Sequence, residues 1–496
     1  MPIDQVERPR VTRCRAVCGA MAGVLAFASA AARGQTPEFG DVLVNLDPGA
    51  TGLAAVSLET GAIRTISSAT IGGGVGFPEF IADTAIAVTP AGRLYLVGTT
   101  NPNDAGRPTS FLEIDPETGV RRRPPGTAGD RRWTDGESLL AMPDGSVVAL
   151  MTERALATRG DPPGPRPALD DTRLLRYDPV TGETTVLSGP ERGDGPLFEG
   201  TGHVAFDGRS FYVLERAENV SRDESAVLLF EVDPRSGDRR VISRLSPPQF
   251  FPDGGVETPE RAVFEDGRRV GTYTPPLVLG DGPGTNSSVR AVTFDAFGRL
   301  IVALDVYDQD LIDDFPSGVT FSSGVIAVDL GSGDRTLLMG DAIEYDPSRP
   351  FQNKRIVAGQ APTGALDTRS MQNAGDLIAR RDGTLLFTSG RPPTSDIYLI
   401  SPDTARTSLV VPIDGRDPAR PGFGELQSAE ALAEWPCLAD RPGFDGRRDG
   451  RVDFVDLLDF FFGWLRGEPG TDLSRDGLLR YEDYLIYLRI FRRGCD

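Results

Sequence analysis

Two kinds of turn alternate along most of this chain, and their order constrains the fold more than any other feature. The first joins two short apolar runs through a turn that carries Gly: AIAVTPAGRLYLVG from Ala85, LLAMPDGSVVALM from Leu139, HVAFDGRSFYVLE from His203, RAVTFDAFGRLIVAL from Arg290 and DLIARRDGTLLFTS from Asp376. Each reads as a β-hairpin. The second has the form D-P-x-T-G and closes at Gly119, Gly182, Gly237 and Gly333, with a degenerate copy at Ala405. Pro presets φ at the second position of such a turn and Gly accepts φ > 0 at its end. Each unit therefore holds four strands. A four-stranded sheet cannot bury both faces alone, so repeated units stack around an axis as a β-propeller. A β-sandwich would explain the alternation but not the ordered recurrence of both turns.

Five units are complete and a sixth is split. AAVSLETG, ending at Gly61, supplies outer strands, and AEALAEW from Ala429 supplies an inner one. The ring closes by joining the two ends of the body, with AEALAEW expected beside residues 54–58. The turn glycines 61, 119, 182, 237 and 333 lie 58, 63, 55 and 96 residues apart, longer than minimal repeats of roughly 40 to 50, so long loops decorate the body. The widest interval holds residues 245–288, read as an inserted loop. Its ERAVFEDGRRVGTY segment has the look of a hairpin and keeps a seventh blade open. The expected fold is mostly β, a six-bladed propeller over residues 41–436, followed by a small helical module over 437–496. In its turns the body resembles the lactonase-like and NHL-type six-bladed propellers, a resemblance of pattern that carries no family motif.

Composition narrows the chemistry. The 496 residues include 58 Gly and 40 Pro, and 52 Lys and Arg stand against 72 Asp and Glu, a net charge of −20. That balance excludes nucleic acid as a partner. Lys354 is the single lysine and His203 the single histidine, which removes multi-His zinc sites and most Lys-based covalent chemistry. Arg10, Arg13 and Arg15 precede the apolar run AVCGAMAGVLAFASA, a secretory signal pattern over residues 1–32. The run is short for a span of roughly 20 apolar residues, so a secreted, extracellular product without a transmembrane anchor is expected. Cys14 and Cys18 leave with the signal. Cys437 and Cys495 remain, and an oxidising compartment favours a disulfide between them that clasps the last segment.

Within that segment two stretches align with an offset of 27 residues. Asp445, Asp449, Gly450, Asp456, Phe461, Trp464 and Gly467 match Asp472, Asp476, Gly477, Asp483, Leu488, Phe491 and Gly494. In the second copy Asp472, Ser474, Asp476 and Asp483 occupy positions 1, 3, 5 and 12 of a calcium loop, with the Leu478 carbonyl at position 7. The first copy offers Asp445, Asp449, Arg451, Asp453 and Asp456, but Arg447 stands where an oxygen ligand belongs. The following helices place Leu457, Phe461 and Trp464, and Leu485, Leu488 and Phe491, at helical spacing as the module's own core. Phe462 and Tyr484 remain as candidates for an exposed, partner-binding face. On these residues the segment from Cys437 to Asp496 resembles a dockerin, of the Cys-bracketed type found at the ends of exported planctomycete proteins. The resemblance implies Ca2+ as cofactor and a cohesin-like or cell-surface protein as partner, hence a tethering role.

Alignment of the inner strands places Glu137, His203, Arg290, Asp376 and Glu430 near their starts, where strands line a propeller's channel. Such a set can hold a metal or an anionic sugar. No nucleophile elbow, phosphate loop or zinc signature accompanies it. Two functions follow. The first is a secreted propeller that binds an extracellular ligand or surface and is tethered through its tail. The second is a calcium-dependent extracellular hydrolase or lyase acting on carbohydrate or lactone through the channel, as the acidic calcium site of lactonase-like propellers implies.

Overall fold

The computed structural model describes mainly residues 41–100, 111–153, 171–246, 261–307, 321–345, 354–364, 374–412, 429–434 and 454–468, with Thr471, Arg480, Tyr481, Tyr484 and Tyr487. Among the described residues six sheets follow one another along the chain, antiparallel except for the outermost strand of the sixth. Sheet 1 has the order Ala429–Glu434, Asp41–Leu46, Gly52–Ser57 and Ile63–Ser68, and sheet 2 runs from Phe80–Val88 through Leu94–Thr100 and Leu112–Ile114 to Arg121–Arg122. Sheet 3 begins at Asp135–Ala141 and sheet 4 at Gly202–Phe206. Sheet 5 begins at Ser288–Phe294 and sheet 6 at Ala374–Ala379, and each of these two gains a fifth strand at its outer edge. The first strand of each sheet touches the first strand of the next, and Ala374–Ala379 returns through Ala429–Glu434 to Phe80–Val88. This closed cycle of inner strands is the arrangement of a β-propeller.

A separate apolar core fills each junction. Leu43, Leu53 and Ile66 of sheet 1 meet Ile86, Leu94 and Leu112 of sheet 2, and Val42, Val44 and Val56 on the opposite face meet Leu386 and Ile397 of sheet 6. Leu300–Tyr307 shows why the inner runs lack a polar face: Leu300, Val302 and Leu304 enter one core while Ile301 and Ala303 enter the next. Side chains alternate across a strand, so a sheet buried on both sides is apolar at successive positions.

The split sheet forms with one change from expectation. Ala429–Glu434 shares a sheet with Gly52–Ser57, but its hydrogen-bonded neighbour is Asp41–Leu46, with Val42 opposite Glu434 and Val44 opposite Leu432. An inner strand needs a second strand beside it before the outer pair, and residues 41–46 supply it. The 245–288 interval contains a hairpin, Arg261–Glu265 with Arg268–Tyr273, that pairs with Gly195–Pro196 in a three-stranded sheet of its own.

Three of the seams share a device that the turn pattern alone did not reveal. The residue two places after the turn glycine is Arg121, Arg239 or Arg335, and each reaches a serine of the preceding sheet, Ser67, Ser188 or Ser243, at 2.8 Å. That serine donates in turn to the carbonyl of the turn glycine, Gly119, Gly237 or Gly333. Arg239 also donates to the carbonyls of Gly193, Gly195 and Pro196. The same seam between sheets 2 and 3 has Thr184 at the arginine position, and Trp133 donates its indole N–H to it at 3.1 Å.

Near the C terminus, Phe454–Arg466 is a helix. Phe460, 2% exposed, stacks on Tyr487 with ring centroids 4.0 Å apart, and Trp464 donates to the Arg480 carbonyl at 3.0 Å. On this helix the buried aromatic is therefore Phe460, whereas Leu457, Phe461 and Trp464, expected as the module's core, are half-buried. Phe462 is 50% exposed, whereas Tyr484 is half-buried against Phe461. Among the described residues no helix is long and apolar enough to cross a membrane. The signal segment 1–32, Cys437, Cys495, and the ligand positions Asp445, Asp449, Arg451, Asp453, Asp472, Ser474, Asp476, Leu478 and Asp483 lie outside the described residues. Asp456 falls in the first turn of the helix.

Candidate functional site

Five of the six inner strands are irregular at the end remote from their hairpin turns. In sheet 3, Gly136 pairs with Met151 and Ser138 with Leu150, which leaves Glu137 as an extra residue. In sheet 5, Val289 pairs with Leu304 and Ala291 with Ala303, and Arg290 is extra. Gly375 and Asp376 together oppose Thr388 in sheet 6. In sheet 1, Glu430 and Ala431 together oppose Asn45. These are β-bulges, which bend a strand, release a residue from the ladder and re-aim its side chain. All five positions proposed from the sequence thus lie on inner strands, and four of them fall at a bulge. The fifth, His203, lies on Gly202–Phe206, whose ladder is unbroken.

Sheet 2 has the same break. Phe80 pairs with Thr100 and Thr84 with Gly98, so Ile81, Ala82 and Asp83 oppose Thr99. Asp83 was missed from the sequence although a signal existed: it precedes Ala85 by two residues, as Glu137 precedes Leu139.

The described side chains at this end are held by specific bonds. His203 Nε2 lies 3.2 Å from the Val289 carbonyl on the neighbouring inner strand, a link that requires the nitrogen to carry its proton. Arg290 Nε donates to Asp305 Oδ2 at 2.7 Å, and Ser323 Oγ donates to Asp305 Oδ1 at 2.7 Å. The Asp376 amide donates to Thr388 Oγ1 at 2.7 Å, and its Oδ1 accepts the Leu377 amide at 2.7 Å. Glu215, opposite Gly202 on the second strand of sheet 4, accepts from Arg261 Nη1 at 2.8 Å, and both side chains are wholly buried. Arg261 comes from the inserted hairpin, so that insertion is anchored directly at the inner end of sheet 4. Among the described residues no group of three or more His, Cys, Asp or Glu side chains converges to hold a metal ion. The side chains of Asp83, Glu137 and Glu430 lie outside the described residues.

A profile for a phytase-like family, described as the esterase-like activity of phytase, matches residues 101–253. No curated protein matches the chain. Among solved structures, TolB from Acinetobacter baumannii is 14% identical with a TM-score of 0.39, covering 87% of this chain and 75% of that one. A putative 6-phosphogluconolactonase from Bacteroides fragilis is 12% identical with a TM-score of 0.34, covering 79% and 97%. A gluconolactonase from Xanthomonas campestris is 15% identical with a TM-score of 0.35, covering 73% and 90%.

Proposed function

We propose that this chain is an exported six-bladed propeller that hydrolyses an ester, a lactone among the candidates, at the bulged end of its channel. The observation that carries the reading is the coincidence of bulges with Asp83, Glu137, Asp376 and Glu430 on separate inner strands. Bulges are retained next to active sites because they re-aim side chains, and a core strand has no packing reason to place a charge there. The partial match to an esterase-like family supports hydrolysis over binding alone. Calcium suits the donor chemistry, since carboxylates are hard oxygen ligands and a bulge frees main-chain groups beside them. When bound, such a cation polarises the scissile carbonyl or phosphoryl group. The chain's own residues would hold it and orient the ester.

The test is turnover of carboxylic and phosphate esters by the full chain, with calcium and with chelator. Glu137→Gln and Asp376→Asn should each lower kcat/KM by about a hundredfold or more. If neither variant differs from a fully active wild type, the channel is not the site. If the wild type turns over no ester but binds a sugar, the non-catalytic reading stands in its place.

The tail, in this reading, is the dockerin-like tether, clasped by a Cys437 to Cys495 disulfide and binding calcium through Asp472, Ser474, Asp476, the Leu478 carbonyl and Asp483. Phe460 and Tyr487 support the duplication, because they are separated by the 27-residue offset and stack on each other. Equivalent residues of two repeats meet in this way across an internal twofold axis. Capture of a cohesin-like domain by the full chain should need calcium and fail in Asp472→Ala with Asp476→Ala. Equal capture in chelator would refute the assignment.

A further inference from the structure

Arg290 is built into its position more elaborately than a solvated channel residue requires. Its Nε is fixed by Asp305, whose side chain is 8% exposed while that of Arg290 is 36% exposed. Asp305 is itself braced by the Ser323 hydroxyl on the third strand of sheet 5, and its carbonyl accepts the hydroxyl of wholly buried Thr285. From the other side His203 reaches across the seam to the carbonyl of Val289, the residue before the bulge. A guanidinium free in solvent has rotamer freedom that a ligand must remove on binding. Here that ordering is completed on folding. Layered support of this kind marks a preorganised recognition group, whereas an apolar pair would stabilise the sheet as well as a half-exposed ion pair does.

We infer that Arg290 is the anion-recognition residue of the channel, with Asp305 and His203 as positioning residues, and that the ligand carries a carboxylate or phosphate group. The inference rests on the reading that the bulged end is the ligand site. Its chemistry follows from the neighbours. The inner-strand bulges of the other sheets carry Asp83, Glu137, Asp376 and Glu430, the carboxylates proposed above to hold the cation, and Arg290 is the cationic residue at such a bulge. An anionic ligand is therefore oriented, its charged end toward Arg290 on sheet 5 and its ester group toward the bulges of the other sheets.

Calorimetric titration of the full chain with glucuronate and inorganic phosphate, and glucose as the uncharged control, tests this. One anion should bind about tenfold or more tightly than glucose, and which one does so separates a sugar acid from a phosphate ester. Arg290→Gln should abolish the preference and Arg290→Lys should keep part of it, since the charge remains without the fork. Asp305→Asn should weaken anion binding several-fold and Asp305→Glu should recover part of it, a rescue that a merely structural role would not give. Near-ultraviolet circular dichroism checks that each variant is folded. Anion affinity equal in wild type and Arg290→Gln, including none in either, overturns the inference. Ester turnover measured alongside separates the two ideas: hydrolysis without anion preference sinks this one alone, and anion binding without hydrolysis sinks the esterase reading alone.

Discussion

Gly193 and Gly208 share a left-handed backbone, with φ of 82° and 93°, yet their surroundings differ. A methyl group added at Gly193 would lie 1.9 Å from the Gly237 carbonyl oxygen of the next sheet, whereas one added at Gly208 meets nothing within 4 Å. Gly208→Ala should cost about 1 kcal/mol of backbone strain. Gly193→Ala adds overpacking of a seam and should cost about 2 to 4 kcal/mol. The denaturant midpoints of the two variants read this contrast directly. A second residue-scale expectation concerns alkali. Burial, then the Glu113 carboxylate, pushes the Tyr95 phenol up to about 12, above its unfolded value of about 10. A raised folded pKa favours the neutral form, so its stabilisation is whole below about pH 10 and is lost as pH rises toward 12. Tyr95→Phe should flatten the decline of melting temperature over that window; an unchanged slope would show that the phenol ionises freely.

At the scale of the element, the arginine latches convert loose outer strands into fixed seams. Arg239 is 5% exposed and satisfies several main-chain carbonyls at once. Lys keeps the charge but has no planar fork, so Arg239→Lys should cost about 2 to 3 kcal/mol by leaving buried acceptors unmet. Equal unfolding free energies for the two proteins would deny the latch an energetic role. The turns themselves titrate in acid. Asp178 accepts the Val180 amide and Asp238 the Asp194 amide, and these bonds hold both carboxyls below the usual aspartate range. A depressed folded pKa contributes stability above the unfolded value of about 4 and loses it as pH falls through the folded one. Asp238→Asn should therefore lose less melting temperature than wild type below about pH 4. A parallel acid limb would place the titration elsewhere.

For the whole molecule, stability depends on closing the ring. Ala429–Glu434 pairs with Asp41–Leu46 and touches the first strands of sheets 2 and 6, so it joins segments nearly four hundred residues apart. Ala433→Pro removes one ladder donor opposite Leu43 and should cost about 3 kcal/mol or more, enough to lower the first melting transition of the body. Calorimetry of the full chain would detect it. An unshifted transition would mean that the sheets hold their circle without this strand. The cost of closure is mainly loop entropy, which grows slowly with length, and this is why so distant a clasp is affordable.

Much of this was legible in the residues. The hairpins from Ala85, Leu139, His203, Arg290 and Asp376 were visible because alternation, Gly turns and Pro-fixed φ act over fewer than fifteen residues. The split sheet was visible because two orphan fragments complemented each other. What the sequence left undecided has a common physical cause: it depends on which backbone lies across a seam. Neither the pairing of Ala429–Glu434 with Asp41–Leu46, nor the reach of Arg239 to Ser188, nor the buried pair of Arg261 with Glu215 has a local signature, because each partner is chosen by the stacking of one sheet on the next. The candidate site divides in the same way. The sequence by itself determined that charged residues begin the inner strands, since binary pattern is local. Only the tertiary structure decided that bulges free them from the ladder and that Asp305 and His203 brace Arg290, because a bulge exists only in the register between two strands and a brace only between packed neighbours.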